Sequence, residues 1–128
     1  MKVVKVFLLF AVIHIAGWAA AHWYFDKNRS DVLLVVDTSY SMKERFPSVD
    51  DWIENYTSSA RYKNIRVGTD KALLGKFEEL KSRNVIYRTA FGRMSAESLQ
   101  RYDSMAADKK ILLSDGSIKP DGWDVVVF

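Results

Sequence analysis

Asp37, Ser39 and Ser41 alternate along one short stretch, and a second carboxylate, Asp115, stands directly after another apolar run. In an extended loop, alternation by two carries both hydroxyls to the same side. A hard divalent cation such as Mg²⁺ wants about six oxygen ligands at about 2.1 Å and retains several waters, so two hydroxyls with one or two carboxylates are a sufficient contribution from the protein. The residues therefore predict one divalent ion, Mg²⁺ or Mn²⁺, held by Asp37, Ser39, Ser41 and Asp115 with a coordination position left open. Each piece alone has a plainer use, since serines cap turns and Asp115-Gly116 is a common turn pair. The metal reading rests on their joint occurrence at two strand ends.

The elements that must position these groups follow from hydrophobic patterning. Val32 to Val36 is a continuous apolar run, as expected of a strand buried on both faces of a parallel sheet, and Ile111 to Leu113 is a second such run ending at Ser114-Asp115-Gly116. Between them, Ser48 behind Pro47 can cap a helix over 49–60, with Trp52 in its core-facing stripe, and 64–67 forms a weak strand. Thr69 can cap a helix over 70–83 built on Leu73, Leu74, Phe77 and Leu80, and 85–91 alternates as a strand. Ser95 can cap a further helix through Leu99, Tyr102, Met105 and Ala106. This β-α-β-α-β-α-β order predicts an α/β fold, a doubly wound and mostly parallel sheet with helices on both faces. Only about ten residues separate Leu113 from a final strand at 124–128, fewer than a parallel crossover generally needs, so that strand is expected to be an antiparallel hairpin partner or an edge strand. In open sheets of this kind ligands bind beyond the carboxyl ends of the strands, which is where Asp37, Ser39, Ser41 and Asp115 fall.

The pair VVDTSYSM and LLSDG resembles the von Willebrand factor A (VWA, integrin I-like) family and its metal-ion-dependent adhesion site, MIDAS. The D-x-S-x-S element is matched by Asp37, Ser39 and Ser41, and the later strand-ending aspartate by Asp115. By order of elements the resemblance covers residues 31–116. It implies a magnesium-dependent protein-protein interaction in which an acidic side chain of the partner fills the open position. It also implies a threonine ligand before the second aspartate: Thr89 matches best by spacing, Thr69 sits at a strand end, and Ser95 is a chemical substitute. Tyr40, inside the loop, is the natural contact aromatic, since interfaces favour tyrosine.

The first 29 residues are organised differently from residues 30–128. Val6 to Phe25 is a 20-residue run without a formal charge, preceded by Lys2 and Lys5 and closed by Trp23, Tyr24 and Phe25. That length matches a hydrocarbon core of about 30 Å, and the aromatics match an interfacial belt, so we read a single transmembrane helix. A basic start, an apolar stretch and Ala19, Ala20 and Ala21 also fit a cleaved signal peptide, which would make the protein secreted. The domain at 30–128 is expected outside the cytoplasm, in a periplasmic or extracellular space. It carries 15 basic and 15 acidic side chains, which lacks the electrostatic footprint of nucleic-acid binding. No cysteine is present, and both histidines, His14 and His22, lie in the hydrophobic segment, so no thiolate or nucleophile-base pair points to an enzyme. Two alternatives stand beside the binding module: a structural subunit of a membrane complex with a degenerate metal site, docking through the apolar strand at 124–128, and a hydrolase using Asp37.

Overall fold

A computed structural model describes every residue of the chain except Thr89. An N-terminal helix, α1 (Lys2–Lys27), leads through Asn28 and Arg29 into a five-stranded sheet: β1 (Ser30–Val36), β2 (Lys63–Thr69), β3 (Leu73–Lys76), β4 (Lys109–Ser114) and β5 (Asp124–Val127). The strand order is β3-β2-β1-β4-β5. β1, β2, β4 and β5 run parallel, and β3 returns antiparallel along β2. The fold is thus a mixed α/β sheet with β1 at its centre.

β1 divides the core into two layers because its side chains alternate across the sheet. Val32, Leu34 and Val36 meet Val67, Ile111 and Leu113 under α2 (Phe46–Ser59), which contributes Val49 and Ile53. Leu33 and Val35 meet Leu112 on the opposite face, under a 3₁₀ helix at Ala96–Tyr102 that contributes Leu99 and Tyr102. Trp52 packs against the α2-side layer, as its helical spacing predicts. Helical segments therefore cover both faces, with α2 by far the longer.

Several local expectations are corrected. The stretch 70–83 is not a helix: Thr69 closes a turn instead, accepting at Oγ1 from the amides of Lys71 (3.1 Å) and Ala72 (3.2 Å), and the chain reverses into β3. Its apolar spacing is satisfied otherwise, as Leu74, Phe77 and Leu80 all pack on the α2-side core. The described residues of the stretch 85–91 do not form a strand: Arg83–Tyr87 is a 3₁₀ helix that buries Ile86, and Tyr87 donates to Asp50 of α2 at 3.1 Å, so this helix packs on α2 rather than on the sheet. Ser95 does cap the next helical segment, through Ser98, but that segment is a 3₁₀ helix ending at Tyr102. The last strand, β5, pairs parallel to β4, not antiparallel. Its connection, residues 115–123, spans up to about 30 Å when extended, enough to run back along a strand of about 20 Å without a helix. Trp123 holds this connection on the second face, edge-on to Tyr102 at 6.2 Å. In α2, Pro47 lies in the first turn and Ser48 within the helix, which begins at Phe46.

Tyr102 joins this face to the sheet edge. Its buried hydroxyl donates to the carbonyl oxygen of Thr69 at 2.5 Å, and burial pushes its pKa up to about 12, so the donor stays protonated. The ring lies over Gly68, where an added Cβ would collide with the phenol. Gly68→Ala is therefore expected to destabilise the domain by about 1–3 kcal/mol in urea unfolding. The loss should shrink in a Tyr102→Phe background, since the closest colliding atom is the hydroxyl oxygen.

Candidate metal centre at the carboxyl edge of the sheet

The register of β1 sets the site. Val36 lies opposite Thr69 of β2 and Leu113 of β4, so all three parallel strands end at one level. The pairing continues one step further, with the Asp37 amide donating to Leu113 O (2.9 Å) and the Asp70 amide to Val36 O (3.3 Å). Asp37, Asp70 and the Ser114-Asp115 turn thereby share one edge, at the point where the chain leaves β1 toward β2 on one side and meets β4 on the other. This is a topological switch point.

From Asp37 onward the side chains divide between two environments. Asp37 is only 1% exposed and accepts the Ser39 amide at Oδ1 (2.9 Å). Ser39 Oγ lies 3.1 Å from Ser41 Oγ, and Ser41 Oγ lies 3.5 Å from Asp115 Oδ2. Thr38 turns the opposite way, donating from its amide (3.1 Å) and its hydroxyl (2.6 Å) to Asp70 Oδ1. The Lys71 ammonium then bonds Asp70 Oδ2 (3.1 Å) and Thr38 Oγ1 (2.8 Å), and lies 4.6 Å from the centre of the Phe91 ring. Asp70 therefore has its own tethered cation, while Asp37 and Asp115 have none bonded to their oxygens among the described residues.

Asp115 is held by its own turn. Its Oδ1 accepts the Ser117 amide at 3.0 Å, and Gly116 between them has φ +82°, where a Cβ would also press on Val127 at 3.0 Å. The Ser117 hydrogen bonds hold the Asp115 carboxyl below the usual range, with Arg45 and Ser41 helping. Asp37 shifts in the opposite direction: burial raises its pKa against the Ser39 hydrogen bonds, and the neighbouring charges of Asp70 and Asp115 raise it further. A cation would relieve that penalty directly.

Asp37, Ser39, Ser41 and Asp115 line one open cleft of about 400 Å³, rimmed by Tyr40 and Arg93. Tyr40 is 71% exposed at its mouth. Two of the oxygen separations come near those a small hard ion would need. Adjacent ligands of an octahedral Mg²⁺ lie about 3 Å apart, from metal-oxygen distances of about 2.1 Å. The 3.1 and 3.5 Å separations here are near that edge and longer than the roughly 2.7–2.8 Å typical of O–H···O hydrogen bonds. Among the described residues, no group of three or more His, Cys, Asp or Glu side chains gathers as a metal site. An ion in this cleft would depend on the serine hydroxyls and on water.

Of the sequence-predicted ligands, four come together and the fifth, Thr89, lies outside the described residues. Neither substitute hydroxyl lines the cleft: Thr69 is used in the β2-β3 turn, and Ser95 pairs with Ser98 Oγ at 3.3 Å. The residues that sequence reasoning missed are Asp70 and Lys71. The sequence shows Asp70 only as a carboxylate three residues past the strand pattern of 64–67, without the register that brings it to the same edge. Compared with protein-family models, curated proteins and solved structures, the chain shows no significant match.

The raised Asp37 pKa fixes a pH dependence. The folded state binds this proton more tightly than the unfolded chain, so the favourable contribution is present below the model-peptide value of 3.8 and is lost as pH rises through the folded value. Asp37→Asn keeps the acceptor for the Ser39 amide and removes the buried charge. It is expected to raise the melting temperature in metal-free buffer at pH 7, with the gain vanishing toward pH 4.

Proposed function

We propose that residues 30–128 form a short doubly wound domain similar to VWA domains, and that Asp37, Ser39, Ser41 and Asp115 hold one Mg²⁺ or Mn²⁺ ion. An acidic side chain of a protein partner would complete the coordination. The observation that carries this reading is the run of oxygens from Asp37 through Ser39 and Ser41 to Asp115 in one open cleft, with separations near those of an octahedral ion. Thr89 is proposed as the further hydroxyl. The chemistry is recognition: the ion bridges two proteins, and no bond is broken.

Tethering is part of the same proposal. α1 is long and apolar enough to cross a membrane, and a signal sequence near the N-terminus has the same character. We take it as a single-pass anchor with the domain outside the cytoplasm, because none of its residues is buried against the domain and its C-terminal end carries the interfacial aromatics Trp23, Tyr24 and Phe25. One observation favours a second reading, a structural subunit: β5 is an edge strand, and Val127 upon it is 56% exposed.

Calorimetric titration of Mg²⁺ and Mn²⁺ into the full chain in detergent micelles separates the two. Saturable one-site binding is expected, and the Ser39→Ala/Ser41→Ala variant should lose it. At a free ion concentration of about 100 Kd the folded state should gain about 2.7 kcal/mol. A folded chain that binds neither ion, or binds equally well in the variant, would leave the structural subunit.

Deleting 124–128 tests that second reading: it should release such a subunit from its complex while α1 stays in the membrane.

A further inference from the structure

The helix meets the domain at Tyr62. It is the only non-glycine residue with positive φ (57°) among those described, a conformation that costs free energy in most side chains and persists only when its surroundings hold it. Its side chain packs on α1. The Tyr62 hydroxyl lies 2.6 Å from His22 Nδ1, its ring is edge-on to the His22 ring at 5.5 Å, and it lies 5.6 Å from the Phe25 ring. His22 in turn stacks on Trp18 at 5.5 Å. On the domain side, the Tyr62 carbonyl accepts the Ser30 amide at 3.0 Å, so the residue that grips the helix also opens the β1-β2 pairing.

We infer that this contact seats the amino edge of the sheet in the headgroup layer of the bilayer crossed by α1, and turns the carboxyl-edge cleft away from the membrane. The inference rests on α1 being an anchor. His22 lies three residues inside the end of the apolar run, about 4.5 Å along the helix axis. A side chain bonded to it must enter the interfacial layer, where tyrosine is the favoured residue. The linker of two residues, Asn28 and Arg29, permits little else. The flanking groups suit headgroups: Arg61 is exposed, Lys63 lies over the Tyr56 ring (5.3 Å), and Lys27 lies over the Trp23 ring (4.0 Å). Arg29 is paired with Asp26 and also feels Glu78, so the edge is amphoteric and suits zwitterionic as well as anionic lipid.

The seven residues of β1 separate the two edges by about 23 Å. A partner of the cleft must then approach from the aqueous side, which selects a soluble or peripheral acidic loop over a membrane-embedded segment.

Because the chain has no cysteine, single nitroxide labels report position without background. Full-length Arg61→Cys and Ser117→Cys chains, labelled and reconstituted in phosphatidylcholine vesicles carrying a nickel-chelating headgroup lipid, test the orientation. The label at 61 should be relaxed severalfold more strongly than the label at 117. Tyr62→Gly, which suits the positive φ and removes the ring, should abolish most of the difference. Equal relaxation at the two positions, or no effect of Tyr62→Gly, would overturn the seating while leaving the anchor. A chain stripped from the vesicles by alkaline carbonate would overturn both. The cation-binding proposal is independent of either result, since its titration is made in micelles.

Discussion

Burial of a carboxylate at the end of a central strand is the constraint around which the rest of this domain is arranged. β1 is apolar on both faces and flanked by parallel neighbours, so the residue that follows it emerges at an edge with little access to water, and that residue is Asp37. A buried carboxylate with one backbone donor and two acidic neighbours is unfavourable on its own. The structure answers the same problem twice within a few residues. At Asp70 the remedy is internal: Thr38 supplies two donors and Lys71 a tethered ammonium. At Asp37 the remedy is a cleft lined with hydroxyls and open to solvent.

That contrast bears on function. A site needing only a stable fold would be expected to cover Asp37 as Asp70 is covered, since a lysine is available to the chain at one edge position and could be at the other. Asp37 lacks such a partner among the described residues, Ser39 and Ser41 line the same open cleft, and Asp115 is locked by its own turn, an arrangement that would suit a mobile cation. The backbone carries this arrangement, though not as the extended loop that alternation by two predicts: Thr38 turns inward to Asp70, and Ser39 precedes a 3₁₀ helix at Tyr40–Arg45 that leaves Tyr40 exposed at the rim and the two serine hydroxyls 3.1 Å apart.

Much of the scaffold was legible in the sequence because its signals are local and strong. β1 and β4 are continuous apolar runs, α2 has a clear helical stripe, and the placement of the site at two strand ends followed from those runs alone. Two of the misreadings, at 70–83 and after Ser95, share a physical origin, the replacement of a helix by tighter local structure. Leu73, Leu74, Phe77 and Leu80 carry helical spacing, yet the Thr69 amide donates to Ala72 O (2.7 Å) in a turn that reverses the chain into β3, and β3 with its following 3₁₀ turn partly buries most of the same side chains. At 85–91 alternation suggested a strand, but Tyr87 finds Asp50 on α2. β5 defeated a length rule because an extended connection held by Trp123 can do without a helix. Within the site, Asp37, Ser39, Ser41 and Asp115 were legible by type and spacing. The Asp70-Lys71 pair was not, because its role depends on β2 ending level with β1, which no local pattern encodes.

The central claim is that a divalent ion binds among the oxygens of Asp37, Ser39, Ser41 and Asp115. The most direct measurement is paramagnetic broadening of backbone amide signals by substoichiometric Mn²⁺ in the ¹⁵N-labelled full chain. The account predicts selective loss of the signals of residues 37–41 and 115–117, with Tyr62 and the rest of the amino edge untouched and Mg²⁺ restoring the lost peaks. Broadening centred elsewhere, or none at Mn²⁺ concentrations that saturate ordinary carboxylate sites, would contradict it.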